Sequence, residues 1–257
     1  MEGFTYKKRI LSLLLLLTFL ISPFLLDYKN GLVHTGGKEI IVQIFKAALR
    51  PDISSEILSL AVISSIRTLS YAVAGTTVAI VLGFIFGTLS SGVLISNSLV
   101  ANASKNILEF MRTIHELVWA WLFVTAFGLS PYAAILAIAI PYGGILGRIY
   151  SNNFKSVPIE PILHLKSSGA SKLQCLFYAY LPMASKDIIS YSLYRFECAV
   201  RSSTVMSFVG LGGLGYQIQL ALDDLNFSRM WTYFIFLLLM IIIIELWSNA
   251  LRKRLIE

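Results

Sequence analysis

The sequence predicts an all-α, polytopic membrane protein with about six transmembrane helices, on three observations. Of 257 residues, 56% are hydrophobic and 14% charged, and a mean hydropathy of +0.75 leaves too little polar surface for a soluble domain of this length. Apolar runs recur near the ~20 residues a helix needs to cross ~30 Å of hydrocarbon. Lysine and arginine gather in segments that alternate with those runs, as cytoplasmic loops do. Helices are the expected form because a backbone in lipid must satisfy its own hydrogen bonds.

The expected spans are Ile10–Leu26, Ile66–Ser90, Ile107–Phe127, Tyr132–Tyr150, Ile188–Leu211 and Trp231–Trp247. Lys7, Lys8 and Arg9 precede the first and place the N-terminus in the cytoplasm, and an even number of spans returns Arg252, Lys253 and Arg254 to the same side. The loop after the fourth span falls there too, with Arg148, Lys155, Lys166, Lys172 and Lys186. The loop after the fifth, holding Asp223 and Asp224, faces outward. Between the first two spans lies a mixed outer region in which Ile40, Ile41, Ile44, Phe45, Ala48 and Leu49 recur at helical spacing, so a short interfacial helix is expected before Pro51. The first span is expected to be retained, since Ser22-Pro23-Phe24-Leu25-Leu26 offers no small-x-small cleavage site. With no tandem repeat and no linker, residues 1–257 read as one domain.

Several chemistries are missing. The net charge of +7 is spread over the cytoplasmic segments, which the positive-inside effect explains without nucleic acid. Cys175 and Cys198 lie where disulfides are not favoured and are too few for zinc. The three histidines are scattered, and neither a metalloprotease pair nor a serine-hydrolase elbow occurs, so no catalytic or metal-ligating set is expected. No phosphate-binding Gly-x-x-x-x-Gly-Lys-Ser/Thr loop is present either. Any ATP and magnesium would therefore be held by another subunit, and this chain binds no cofactor of its own.

Ionisable groups inside spans call for an explanation, because each is expensive in lipid. Glu109, Arg112 and Glu116 stand three and four residues apart and are expected to neutralise one another on one face, with His115 a packed polar residue beside them. Arg195, Glu197 and Arg201 occupy the fifth span, followed by Ser202, Ser203 and Thr204. An arginine with hydroxyls beyond it suits an oxyanion path, while an Arg201–Glu197 pair with packed hydroxyls is the structural alternative. Gly210, Gly212, Gly213 and Gly215 read either as a flexible outer gate or as a plain helix stop. Gly83-x-x-x-Gly87 and Gly143-x-x-x-Gly147 support close helix packing only.

Between the fourth and fifth spans, Leu163-His164-Leu165, three residues, Gly169 and, thirteen positions later, Leu181-Pro182 follow a recognisable spacing. It resembles the cytoplasmic loop of ABC-importer permeases named for its Glu-Ala-Ala, with Leu163, His164 and Leu165 in place of that triplet and Ala179 where isoleucine is usual. Ser168, Gly169 and Ala170 would form a glycine turn between two short helices, and Leu181-Pro182 would close the second. Residues 112–131 and 195–218, with Pro51-Asp52 and Gly75-Thr76, are similar to the phosphonate permease family, and the resemblance runs from about 45 to 250. It implies a type I ABC importer permease fold in a bacterial inner membrane. It also implies a permease homodimer or paralogue pair, two cytoplasmic ATPase subunits with ATP and magnesium, and a periplasmic or lipid-anchored binding protein that delivers phosphonate, phosphite or a related phosphorus oxyanion. The coupling loop would occupy about 160–184. An ion-coupled secondary transporter would need mirrored halves, which this sequence lacks. A membrane scaffold without a path is the remaining rival.

Overall fold

The computed structural model describes residues 2–25 and 37–256, and among them there are helices and no strands. The chain divides into two compact units, Met1–Lys46 and Ala47–Glu257.

In the first unit, α1 runs over Glu2–Ile21 and ends in a short 3₁₀ turn, Ser22–Leu25. Its side chains from Lys8 to Leu25 are all exposed, and a helix that is apolar all round has lipid as its natural solvent. Leu26, the expected end of the first span, lies outside the described residues. The expected interfacial helix is α2, Gly37–Ala48.

The second unit is organised round α3 (Ser55–Ser91) and α6 (Pro131–Ser156). The buried face of α3 is a row of small residues, Ala61, Ser64, Thr68, Ala72, Gly75, Ala79, Gly83 and Gly87, which lets another backbone come close. A Cβ at Gly83 would stand 2.9 Å from Leu146 Cβ and 3.0 Å from the Gly147 nitrogen, and one at Gly87 would stand 2.9 Å from the Gly147 carbonyl oxygen. The two glycine pairs do serve packing, and they serve each other.

The expected span Ile107–Phe127 is not one helix. It is α4 (Ser98–Thr113) and α5 (Glu116–Phe127), separated where Ile114 and His115 turn extended. His115 is the cause: its Nδ1 accepts a hydrogen bond from the Leu117 amide at 3.2 Å, which makes it an exposed N-cap of α5 rather than a packed polar residue. At 12 residues α5 extends ~18 Å, short of the ~30 Å hydrocarbon layer.

After α6 come α7 (Ile159–Ser167), α8 (Lys172–Cys175), α9 (Leu181–Met206), α10 (Leu214–Asp223) and α11 (Phe227–Ile256). Helix α10 was not anticipated, because it follows the glycine cluster. The start of α3 is tied to α11: Thr232 Oγ1 donates to the Asp52 carbonyl at 2.9 Å, and Arg229 Nε reaches Asp52 Oδ2 at 3.4 Å. Four segments are long and apolar enough to cross a membrane: Lys8–Leu25, Ser55–Ser91, Pro131–Ser156 and Phe227–Arg254.

Candidate functional site

The turn after α7 forms as its glycine dictates. Gly169 takes φ +83°, its amide bonds the Lys166 carbonyl and the Ala170 amide bonds the Leu165 carbonyl, the paired bonds that close a helix through a left-handed residue. Ser171 then opens α8 with a capping box: it receives the Gln174 amide at 3.3 Å while Gln174 Oε1 accepts from the Ser171 amide at 2.7 Å. Lys172 Nζ donates to Ser96 Oγ at 3.0 Å, fixing α8 to the α3–α4 connection. Ile162, Cys175 and Leu176 are buried beneath, while Leu163, Leu173, Phe177 and Tyr178 stay exposed.

Leu181-Pro182 does not close that second helix. A π-type turn, Leu176–Tyr180, leads straight from α8 into α9, with the Leu181 amide bonded to the Leu176 carbonyl, and Pro182 sits in the first turn of α9. A proline there gives up an amide that the start of a helix does not need.

A polar cluster joins α5, α6 and α9. Ser202 Oγ donates to Glu116 Oε1 at 2.5 Å; having one proton, it must accept from the Tyr142 phenol 2.7 Å away. Arg195 lies beside this chain, its guanidinium 5.7 Å from the Tyr142 ring centroid and 5.5 Å from that of Tyr194. Its Nε is buried with no hydrogen-bond partner, and no carboxylate pairs with it among the described residues. Tyr142 gave a signal in the sequence: a phenol in an apolar span has to find a partner.

The other charges take partners the sequence did not suggest. Glu197 pairs with Arg252 of α11 at 2.6 Å, not with Arg201. Glu109 pairs with Arg148 of α6 at 2.9 Å. The Glu109–Arg112–Glu116 cluster does not form, because the break at His115 moves Glu116 off the face it would share with Arg112, which is left exposed. Nor do Arg201, Ser202, Ser203 and Thr204 converge. Arg201 is exposed, whereas Ser203 and Thr204 are buried and donate to the Val200 carbonyl of their own helix at 2.8 and 3.2 Å. Only Ser202 joins the cluster.

The glycine segment is a packed corner. A second π-type turn, Ser207–Leu211, ends α9, and Gly210, Gly212 and Gly213 take φ values of +89°, +78° and +100°. Helix α3 satisfies the freed backbone: Tyr71 donates to the Leu211 carbonyl at 3.0 Å and the Leu214 amide donates to Thr68 Oγ1 at 2.9 Å. Gly215 is helical and lies against the Thr204 carbonyl. Among the described residues no group of histidine, cysteine and carboxylate side chains is placed to hold a metal, and Cys175 and Cys198 are free thiols.

Long apolar helices with paired internal charges are those of a polytopic membrane protein. The family described as binding-protein-dependent transport system inner membrane component matches residues 79–257. The chain is 30% identical over 217 residues to the putative phosphite transport system permease protein HtxC of Stutzerimonas stutzeri, covering 84% of this chain and 75% of that one. It is 27% identical over 188 residues to the phosphite transport system permease protein PtxC of the same species, covering 73% and 68%. Among solved structures, the inward-facing methionine ABC transporter MetNI superposes with a TM-score of 0.69 at 19% identity, over 79% of this chain and 99% of that one. The chain therefore belongs to the binding-protein-dependent inner-membrane components. It is the permease subunit of a bacterial ABC importer, a non-enzymatic part of a complex with a separate ATPase and a binding protein. Its place is the bacterial inner membrane, and the ion-coupled and scaffold readings fall away.

Proposed function

We propose that this permease conducts phosphonate, phosphite or a related phosphorus oxyanion between two permease copies, or between this chain and a paralogue. The observation that carries the reading is its likeness to two phosphite permeases over most of its length. Arg195 supports it from the geometry: a half-buried guanidinium with an orphaned Nε and no carboxylate partner among the described residues is suited to a passing anion, to which Ser202 could donate only by releasing Glu116. Arg201, exposed on this chain, joins the path if the second copy lies against that side of α9.

In this reading both termini are cytoplasmic and the membrane is crossed about six times, with the charges of α9 admitted by the Glu197–Arg252 pair. ATP and magnesium bind the ATPase pair, which docks on the turn at Ser168, Gly169 and Ala170 and on the helix that carries Leu181 and Pro182. A periplasmic or lipid-anchored binding protein loads the outer side, and the Gly210–Gly215 corner is its gate. An ATPase shifts the membrane equilibrium only by preferring one position of that turn, so turn and path must be coupled.

The test is uptake of labelled methylphosphonate, phosphite and phosphate into proteoliposomes with a matched ATPase and binding protein, with and without internal ATP. ATP-dependent accumulation of one anion is expected; ATP-dependent uptake of none of the three would overturn the substrate class. Arg195→Gln is expected to lower uptake at least tenfold, at unchanged membrane abundance and basal ATP hydrolysis. Gly169→Trp is expected to leave hydrolysis running without transport. The cause is backbone strain at positive φ, since the space round that Cβ is open.

A further inference from the structure

Away from the polar cluster, a cleft of about 150 Å³ opens where α3 ends, α4 crosses and α6 completes its last turns. Ser90 of α3, Lys105 of α4, and Arg148, Ser151, Asn152 and Lys155 of α6 line it. Three cations thus face one small space, and the single carboxylate paired to any of them is Glu109, on Arg148. Neither Lys105 nor Lys155 has an ion-pair partner among the described residues. Three like charges with one counter-charge between them still repel one another, and a partly enclosed cleft concentrates the field they make.

Size and position narrow the ligand. The volume equals roughly five water molecules at ~30 Å³ each, enough for one tetrahedral oxyanion and too little for a nucleotide. Ser90 and Lys155 are next to last in two helices long enough to cross a membrane, so the cleft lies toward one end of the candidate spans rather than midway along them. Basic pockets between helices at that level suit phosphate head groups. Lysine ammonium groups, a guanidinium, and the hydroxyl of Ser151 and amide of Asn152 supply donors for several phosphate oxygens at once.

We propose that this cleft binds a phosphate group, carried either by an anionic lipid or by a free anion, and that it is separate from the path at Arg195. The inference does not depend on what the permease transports. Lys155 also lines a neighbouring cavity with Ile159 and Ile162 of α7 and Tyr180, so the bound group touches a side chain shared with the proposed coupling region.

The test uses the full chain in nanodiscs of neutral phosphatidylcholine and follows its thermal midpoint. One arm adds phosphatidylglycerol at rising mole fraction; the other adds inorganic phosphate at constant ionic strength, with chloride as the reference. A rising midpoint in the first arm names a lipid, and in the second a free anion. Lys105→Gln/Lys155→Gln should weaken the response about tenfold or more, Lys105→Arg/Lys155→Arg should keep it, and Lys253→Gln on α11 should leave it unchanged. No response in either arm for the unaltered protein, or an equal response in the double glutamine variant, overturns the proposal.

Discussion

Glycine does different work along the α3–α6 seam and at the α9–α10 corner. At Gly83, Gly87 and Gly147 the backbone is helical and the residue is chosen for size, because α6 stands where a Cβ would go at the first two, and Leu108 of α4 with the Gly83 carbonyl behind it at the third. At Gly210, Gly212 and Gly213 the residue is chosen for conformation, since φ is positive at each. The seam needs no hydrogen bonds between its helices. The corner needs Thr68 and Tyr71, because irregular backbone at membrane depth must be satisfied within the protein. A seam of this kind holds two helices at one distance, while a corner of that kind holds one backbone shape.

The comparison can be broken most forcefully at Gly87. Gly87→Val sets a branched side chain against the Gly147 carbonyl, which is backbone and cannot swing aside, so a loss of about 2–3 kcal/mol is expected, read as a lower thermal midpoint in detergent and reduced membrane abundance. A seam that absorbed this change without loss would not be set by glycine size.

Two paired cycles sharpen the distinction at smaller scale. A Cβ at Gly147 meets Leu108 Cδ2, the end of a flexible side chain, so Gly147→Ala and Leu108→Ala together should destabilise by about 1 kcal/mol less than the sum of the two alone. A Cβ at Gly212 meets Arg67 Nη1 at 2.9 Å, yet Arg67→Ala should not rescue Gly212→Ala, because a backbone at φ +78° and ψ 175°, a region nearly confined to glycine, itself costs an alanine ~1–3 kcal/mol. Equal rescue at both sites would erase the difference between seam and corner.

The least effect belongs to the N-terminal end of α3, beyond the seam. Hydrogen bonding from Ser54, assisted by Arg229, holds the Asp52 carboxyl below its ordinary value of 3.8. A depressed carboxyl contributes stability that is fully present above that value and is lost as pH falls through the lower folded one. The part of the unfolding midpoint that Asp52 supplies should therefore not vary with pH near neutrality and should be lost on the acid side of 3.8, and Asp52→Asn should remove that part of the acid slope.

What could be read from the sequence was local. Apolar length gave α1, α3, α6 and α11. Gly169 gave the turn, and the Ser171-x-x-Gln174 signature of the following cap was there to be used. The break at His115 was hidden because the run Ile107–Phe127 stays apolar across it, and a histidine cap looks like any polar residue until its ring meets an amide. The charges were legible as charges but not as pairs: Arg252 is 55 residues from Glu197 and Arg148 is 39 from Glu109, and helical spacing says nothing at such range. Tyr142, central to the polar cluster, carries no formal charge and so drew no attention.

From Lys172 to Met206 the backbone stays helical through segments of 4, 5 and 26 residues, a single strut of about 50 Å. The first left-handed joint beyond it is Gly210. Between the Lys172 end and Met206 the one irregularity is the π-type turn at Leu176–Tyr180, with Pro182 just after it. Arg195 and Ser202 ride on the strut, whereas Tyr142 and Glu116 belong to α6 and α5. The Tyr142–Ser202–Glu116 chain of hydrogen bonds therefore ties this long helical segment to α5 and α6 at once, and any shift of the segment along its axis would have to part it.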